Sequence, residues 1–240
     1  MPRAPRLTHF LCLPLVTAAS RPQLQANLQS FRAEVTQATA RNPDGIPDRA
    51  VRPVGTLHLT LGVMSLVTPA RVEAALTLLR SLDLRGQMPA RETQAAAGAS
   101  ASSPAPVSVT LRGLESMHDP ASTSVLYAAP ASEDGALYDF CRGLREAFEA
   151  AGLLVADPRP LLLHATLINT VYVEGRGSEN RRKRAPKLTF DAREMLQKYE
   201  AVEWMRDVRV ETVAICRMGA KGVEGGDEQY VVEGEVAVPW

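Results

Sequence analysis

Histidine and threonine recur two residues apart in His58-Leu59-Thr60-Leu61 and again in His164-Ala165-Thr166-Leu167. On an extended strand, positions i and i+2 face the same way. Leu57, Leu59 and Leu61 then point into a core while His58 and Thr60 point out of it, and Leu163, Ala165 and Leu167 do the same beneath His164 and Thr166. The chain has four histidines, and two of them sit in this one pattern, once in each half. Facing imidazoles form an acid–base pair, because histidine titrates near neutrality. Such a pair suits in-line displacement at phosphorus. One ring takes a proton from an attacking hydroxyl or water, the other protonates the leaving oxygen, and threonine hydroxyls donate to the non-bridging oxygens. No metal or cofactor is called for. A zinc site is a poor alternative, since neither run brings Cys, Asp or Glu at ligand spacing and threonine is a weak zinc ligand.

The surrounding elements must carry these residues. Thr8 to Val16 reads as a first strand, although Arg3, Arg6 and the apolar run Phe10 to Val16 also imitate a short secretory signal. His9 and Pro14 interrupt that run, which favours the strand. A helix follows over Pro22 to Thr39, with Leu24, Leu28, Phe31 and Val35 at helical spacing. The first histidine strand spans Thr56 to Leu66, and Thr68-Pro69 reads as the N-cap and first residue of a helix to Leu82. Strands are expected at Val107–Gly113 and Ser124–Ala129, then a strongly amphipathic helix from Ser132 to Ala151 stopped by Gly152. The second histidine strand spans Leu161 to Val173, Asp191 and Glu194 suggest a capping box, and strands close the chain at Val208–Arg217 and Tyr230–Val238. Segments 91–106 and 175–187 read as loops. The order of elements repeats, so each half is expected to form one lobe, with the histidine strands meeting across a cleft.

Lys plus Arg equal Asp plus Glu at 27 each, so no global basic field advertises a polyanion partner. Cys12, Cys141 and Cys216 show no metal spacing and suggest a reducing compartment. No run approaches the ~20 apolar residues of a membrane span.

The chain resembles the 2H phosphoesterases, marked by paired His-x-Thr/Ser-apolar motifs. Within them it is most similar to the 2′,5′ RNA ligase-like domain of an A-kinase anchoring protein, a domain type also found in a subunit of the activating signal cointegrator complex. The likeness rests on both motifs and on Thr8–Leu15, Arg52–Leu57, Phe190–Leu196 and Ile215–Met218. It implies a bilobal α+β fold over residues 1–240, with His58 and His164 as the acid–base pair and Thr60 and Thr166 as phosphate ligands. It also implies metal-independent cleavage or ligation of RNA-type phosphodiesters, such as 2′,5′ linkages or 2′,3′-cyclic phosphates. A nucleotide-binding module, or a subunit of a nuclear transcription or RNA-processing complex, is the alternative. A cytoplasmic or nuclear monomer is expected.

Outside the motifs, Tyr172 is a candidate to stack on a base, and Arg217 and Arg52 are candidates to reach a phosphate. His9 and His118 read as structural or surface residues. Arg181-Arg182-Lys183-Arg184 is either a solvated loop or a nuclear signal or RNA contact. Gly219-Ala220-Lys221-Gly222 reads as a hairpin turn rather than the clamp of a KH domain.

Overall fold

Alternation of apolar and polar residues builds two four-stranded antiparallel sheets. The computed structural model describes residues 5–87, 106–131, 135–173 and 187–239. In chain order the elements are β1 His9–Pro14, α1 Arg21–Val35, β2 His58–Met64, α2 Pro69–Ser81, β3 Ser108–Ser116, β4 Val125–Pro130 and α3 Ala136–Ala150. Then come β5 Ala165–Asn169, α4 Arg193–Lys198, β6 Glu203–Arg209, β7 Thr212–Arg217, β8 Lys221–Gly222, β9 Glu228–Gln229 and β10 Val232–Ala237. The first sheet runs β10-β7-β1-β2 and the second β5-β4-β3-β6, while β8 and β9 form a small hairpin. The architecture is the expected α+β arrangement of two antiparallel sheets with few helices.

The lobes are not the two halves of the chain. The first sheet takes β1 and β2 from the beginning and β7 and β10 from the end, while the second is built from the middle. Helices are exchanged as well: α1 leaves the first sheet and packs on β6 of the second, and α3 leaves the second and packs on β2 of the first. One cluster of buried apolar side chains consequently runs through both sheets.

Local chemistry explains most boundaries. The Thr68 hydroxyl accepts the Arg71 backbone N–H with Pro69 at the first helical position, so α2 starts where the sequence indicated. On α3, Leu137, Phe140, Cys141, Leu144 and Phe148 are buried, and Gly152 at φ 64° ends the helix. Asp191 and Glu194 do not form a capping box. Their carboxylates are taken by Arg193 and Arg41, and α4 starts at Arg193 after Ala192, which offers no side-chain cap. The expected strand 208–217 is two strands in two sheets. Val210 donates its N–H to Val107 in the second sheet while the next carbonyl, of Glu211, accepts from Val238 in the first. The chain changes sheet between those two residues.

The missed strand β6 carries Trp204, which is fully buried. Its Nε1–H donates to the Gly113 carbonyl at 2.6 Å, and its ring stacks on Tyr199 and meets Phe31 of α1 edge-on at 5.1 Å. Asn27 of α1 donates to the Glu203 and Trp204 carbonyls. This aromatic cluster is where α1 is fastened to the second sheet.

Among the described residues no helix is long and apolar enough to cross a membrane. Most of segment 91–106 and of 175–187, including Arg181–Arg184, lies outside the described residues.

Candidate active site

Strands β2 and β5 are edge strands of their respective sheets and lie against each other. The peptide before β2 ties them together: Arg52 donates its backbone N–H to the Leu167 carbonyl at 2.8 Å, and Val51 bridges to Ile168. The two histidine motifs therefore meet without belonging to one sheet.

Each motif carries the same local irregularity. Across β1 and β2, Leu11 pairs with Gly62 and Cys12 with Thr60, which leaves Leu61 as the extra residue. Across β4 and β5, Leu126 pairs with Ile168 and Tyr127 with Thr166, which leaves Leu167 as the extra one. A β-bulge directly after the threonine re-aims the strand at that point. It also changes the expected alternation, since Ile168 and Thr170 are buried rather than facing the cleft with Thr166.

The histidines are held alike. His58 Nδ1 lies 2.7 Å from the Thr56 carbonyl, and His164 Nδ1 lies 2.8 Å from the Leu162 carbonyl. A carbonyl only accepts, so Nδ1 carries the hydrogen in both rings. Nε2 is thereby left to the cleft, a base when the ring is neutral and a donor when it is protonated, and it has no hydrogen-bond partner among the described residues. The Thr60 and Thr166 hydroxyls likewise have no side-chain partner there, and both line a cavity of about 320 Å³ with His58. His164 precedes β5 rather than lying within it, yet its charge reaches His58.

His58 sits under two rings, Phe10 at 4.7 Å and Tyr230 at 5.2 Å. Burial pushes its pKa down from 6.5 to about 4, opposed by the Thr56 carbonyl and helped by the positive charges of His164 and Arg52. At neutral pH this ring is a free base. The unfolded chain then binds the extra proton between these two values, so the contribution to stability is complete above pH 6.5 and is lost as pH falls toward 4. The half-buried ring makes this worth about 1–3 kcal/mol. Urea unfolding at neutral pH and near pH ~4.5 is expected to show a smaller acid loss in His58→Asn than in wild type. Equal losses in both proteins would remove His58 from the account.

The roof over His58 is pinned by Asp227. Its carboxylate accepts N–H groups from Gly55 at 3.1 Å and Glu228 at 2.9 Å, and pairs with Arg21 at 3.0 Å. A Cβ on Gly55 would lie 2.4 Å from the Glu228 carbonyl oxygen, so only glycine lets the β8–β9 hairpin approach this closely. The hairpin presents Tyr230 to the cleft.

The other sequence candidates divide. Arg52 and Tyr172 line the same cavity, with the Arg52 guanidinium carbon 3.6 Å from the Tyr172 ring centroid. Tyr172 arrives there on a short 3-10 turn, not by strand alternation. Arg217 is not brought to the cleft lining; it is held by Glu233. His9 is buried beside Thr8 and Glu233, and His118 lies in a turn near Lys187. Residues 219–222 form the bend leading into the β8–β9 hairpin. Sequence reading missed Phe10 and Tyr230, which sit over His58. Their only signal was aromatic character on two of the expected strands.

Two sheets whose edge strands present a matched pair of His-x-Thr motifs over a shared cleft define the 2H phosphoesterase superfamily, and this protein is a member. Residues 7–238 match the model of the AKAP7 2′5′ RNA ligase-like domain, and the chain belongs to that family. The mouse activating signal cointegrator 1 complex subunit 1 is 26% identical over 183 residues, covering 72% of this chain and 45% of that protein. An uncharacterized fission yeast protein, C15D4.13c, is 28% identical over 106 residues, 44% of this chain and 46% of its own. The chain thus spans less than half the length of these curated relatives. Among solved structures, Escherichia coli LigT complexed with 3′-AMP shares the fold at TM-score 0.54 and 16% identity, with 99% of this chain and all of LigT covered. TT0787 of Thermus thermophilus does so at TM-score 0.51 and 20% identity, over 96% and 97% of the two chains.

Proposed function

We propose that this protein is a metal-independent phosphodiesterase acting on RNA-type linkages, either 2′,5′-linked oligonucleotides or 2′,3′-cyclic phosphates. The observation that carries this reading is the duplicated device of the cleft: an Nδ1–H tied to a carbonyl two residues back, and a bulge after the threonine. His58, neutral at rest, takes the proton from the attacking hydroxyl or water. His164, entering the step as the imidazolium, gives its Nε2 proton to the departing oxygen as that P–O bond breaks, so His58 ends protonated and His164 neutral. Thr60 and Thr166 donate to the non-bridging oxygens as negative charge concentrates there. The same groups run in reverse join ends without ATP.

A second reading, a binding subunit with little turnover, is favoured by the name of the mouse relative, a subunit of a complex. Cleavage assays in EDTA separate the two, using 2′,5′-oligoadenylate, a 2′,3′-cyclic nucleotide and a 3′,5′ oligoribonucleotide. Product that persists in EDTA is the expected result. Tight nucleotide binding with no product from any of the three would favour the binding subunit.

A further inference from the structure

Arg52 is the only Lys, Arg, Asp or Glu side chain that is buried among the described residues, at 4% exposure. It has no carboxylate partner there. The Tyr172 ring covers its guanidinium, the Tyr230 hydroxyl lies beside it, and its Nη2 has no hydrogen-bond partner. A buried cation without a counter-ion is costly, and an anion brought against it would offset that cost.

Its position suggests which anion. Arg52 and Tyr172 are shared walls: they line the catalytic cleft and also a second cavity of about 650 Å³. The second cavity is lined by Arg21, Arg32 and Arg49 as well. Arg21 is committed to Asp227 and Arg32 to Asp48, and Glu224 and Glu228 complete the wall. This basin therefore does not attract polyanions indiscriminately. It leaves one distinct point for a phosphate, at the Arg52 partition. Tyr172 is 41% exposed and keeps ring surface for a base.

We propose that the two cavities form one site for a nucleotide chain, with the scissile phosphate between the histidines and a neighbouring phosphate against Arg52. This rests on the phosphodiesterase reading of the cleft and narrows it: the preferred ligand carries a second phosphate beside the reacting one, and a cyclic mononucleotide is a poor one. Arg52 recognises that phosphate through a charge-assisted contact, which is worth roughly 10- to 100-fold.

The test compares a diadenylate with one phosphodiester against the same molecule bearing an added phosphate at either end. Kd is measured first in His164→Ala, where turnover does not interfere, and kcat/KM then in the otherwise unaltered protein. One phosphorylated form is expected to be preferred by about 10-fold or more. Arg52→Gln is expected to collapse that ratio to near unity, Arg52→Lys to retain part of it, and Lys198→Gln, paired with Glu34 on α4, to keep it. Circular dichroism melting checks that each variant is folded, and Arg52→Lys serves if the glutamine variant is not. Equal affinity for all three ligands, or binding of none, overturns the inference, as does loss of the ratio in Lys198→Gln. Cleavage without phosphate preference sinks this inference and leaves the proposed activity standing. An Arg52-dependent preference without cleavage does the reverse.

Discussion

Replacing His164 by alanine is expected to lower kcat by about 10²–10⁴, with KM changed only a few-fold. The ring is half-buried, held by its Nδ1 contact to the Leu162 carbonyl and one edge contact to Tyr127 at 5.3 Å, so the melting temperature should fall only slightly. The same truncation at His58 should cost a similar factor in kcat. It should also lower stability slightly, because that ring packs against Phe10 and Tyr230. Groups that act as a unit are not additive, so the double variant should fall little below either single one. Single-turnover kinetics on whichever substrate the wild type cleaves would decide this. Unchanged kcat in His164→Ala would end the two-histidine mechanism.

Trp204→Ala carries the largest expected effect on stability, about 3–5 kcal/mol, as for other large-to-small changes of buried aromatics. It removes a fully buried ring, the hydrogen bond to Gly113 and the edge contact to Phe31. Against a total stability of about 5–15 kcal/mol this is a large share. The midpoint of thermal unfolding should fall by on the order of 10 °C. Trp204→Phe retains most of the area, loses the Nε1–H donor and should fall by less. A fall of only one or two degrees in the alanine variant would mean that α1 is held to the second sheet by something else.

Much of the site was legible because its signals are local. Period-two alternation around His58 and His164 needs no knowledge of the partner strand, and Leu57, Leu59, Leu61, Leu163, Ala165 and Leu167 are all buried as that period requires. The Thr68-Pro69 helix start and the apolar face of α3 are equally local. What escaped depends on distant partners. Nothing between Val208 and Arg217 says that Val107 will claim one peptide and Val238 the next. Asp191 and Glu194 have capping-box spacing, but Arg41, far away in sequence, is close enough in space to compete for them. Arg52 read weakly because an arginine before a strand is ordinary; only its burial beside Tyr172 sets it apart. The exchange of strands and helices between lobes left no local mark at all.

That exchange governs how the molecule can be assembled. Strand β1 lies between β2 and β7, and the Cys12 and Cys216 sulfurs that touch across β1 and β7 at 3.8 Å are 204 residues apart. During synthesis on a ribosome, β1 and β2 emerge early but must wait as an unfinished hairpin until β7 arrives. Non-local closure of this kind is slow, and an exposed strand edge invites wrong pairing in the meantime. The second sheet, built entirely from the middle of the chain, has all its strands before β7 has left the ribosome. The cleft is thus the last part to form, and a chain arrested before β7 would hold both histidine motifs yet have no first sheet to set one against the other.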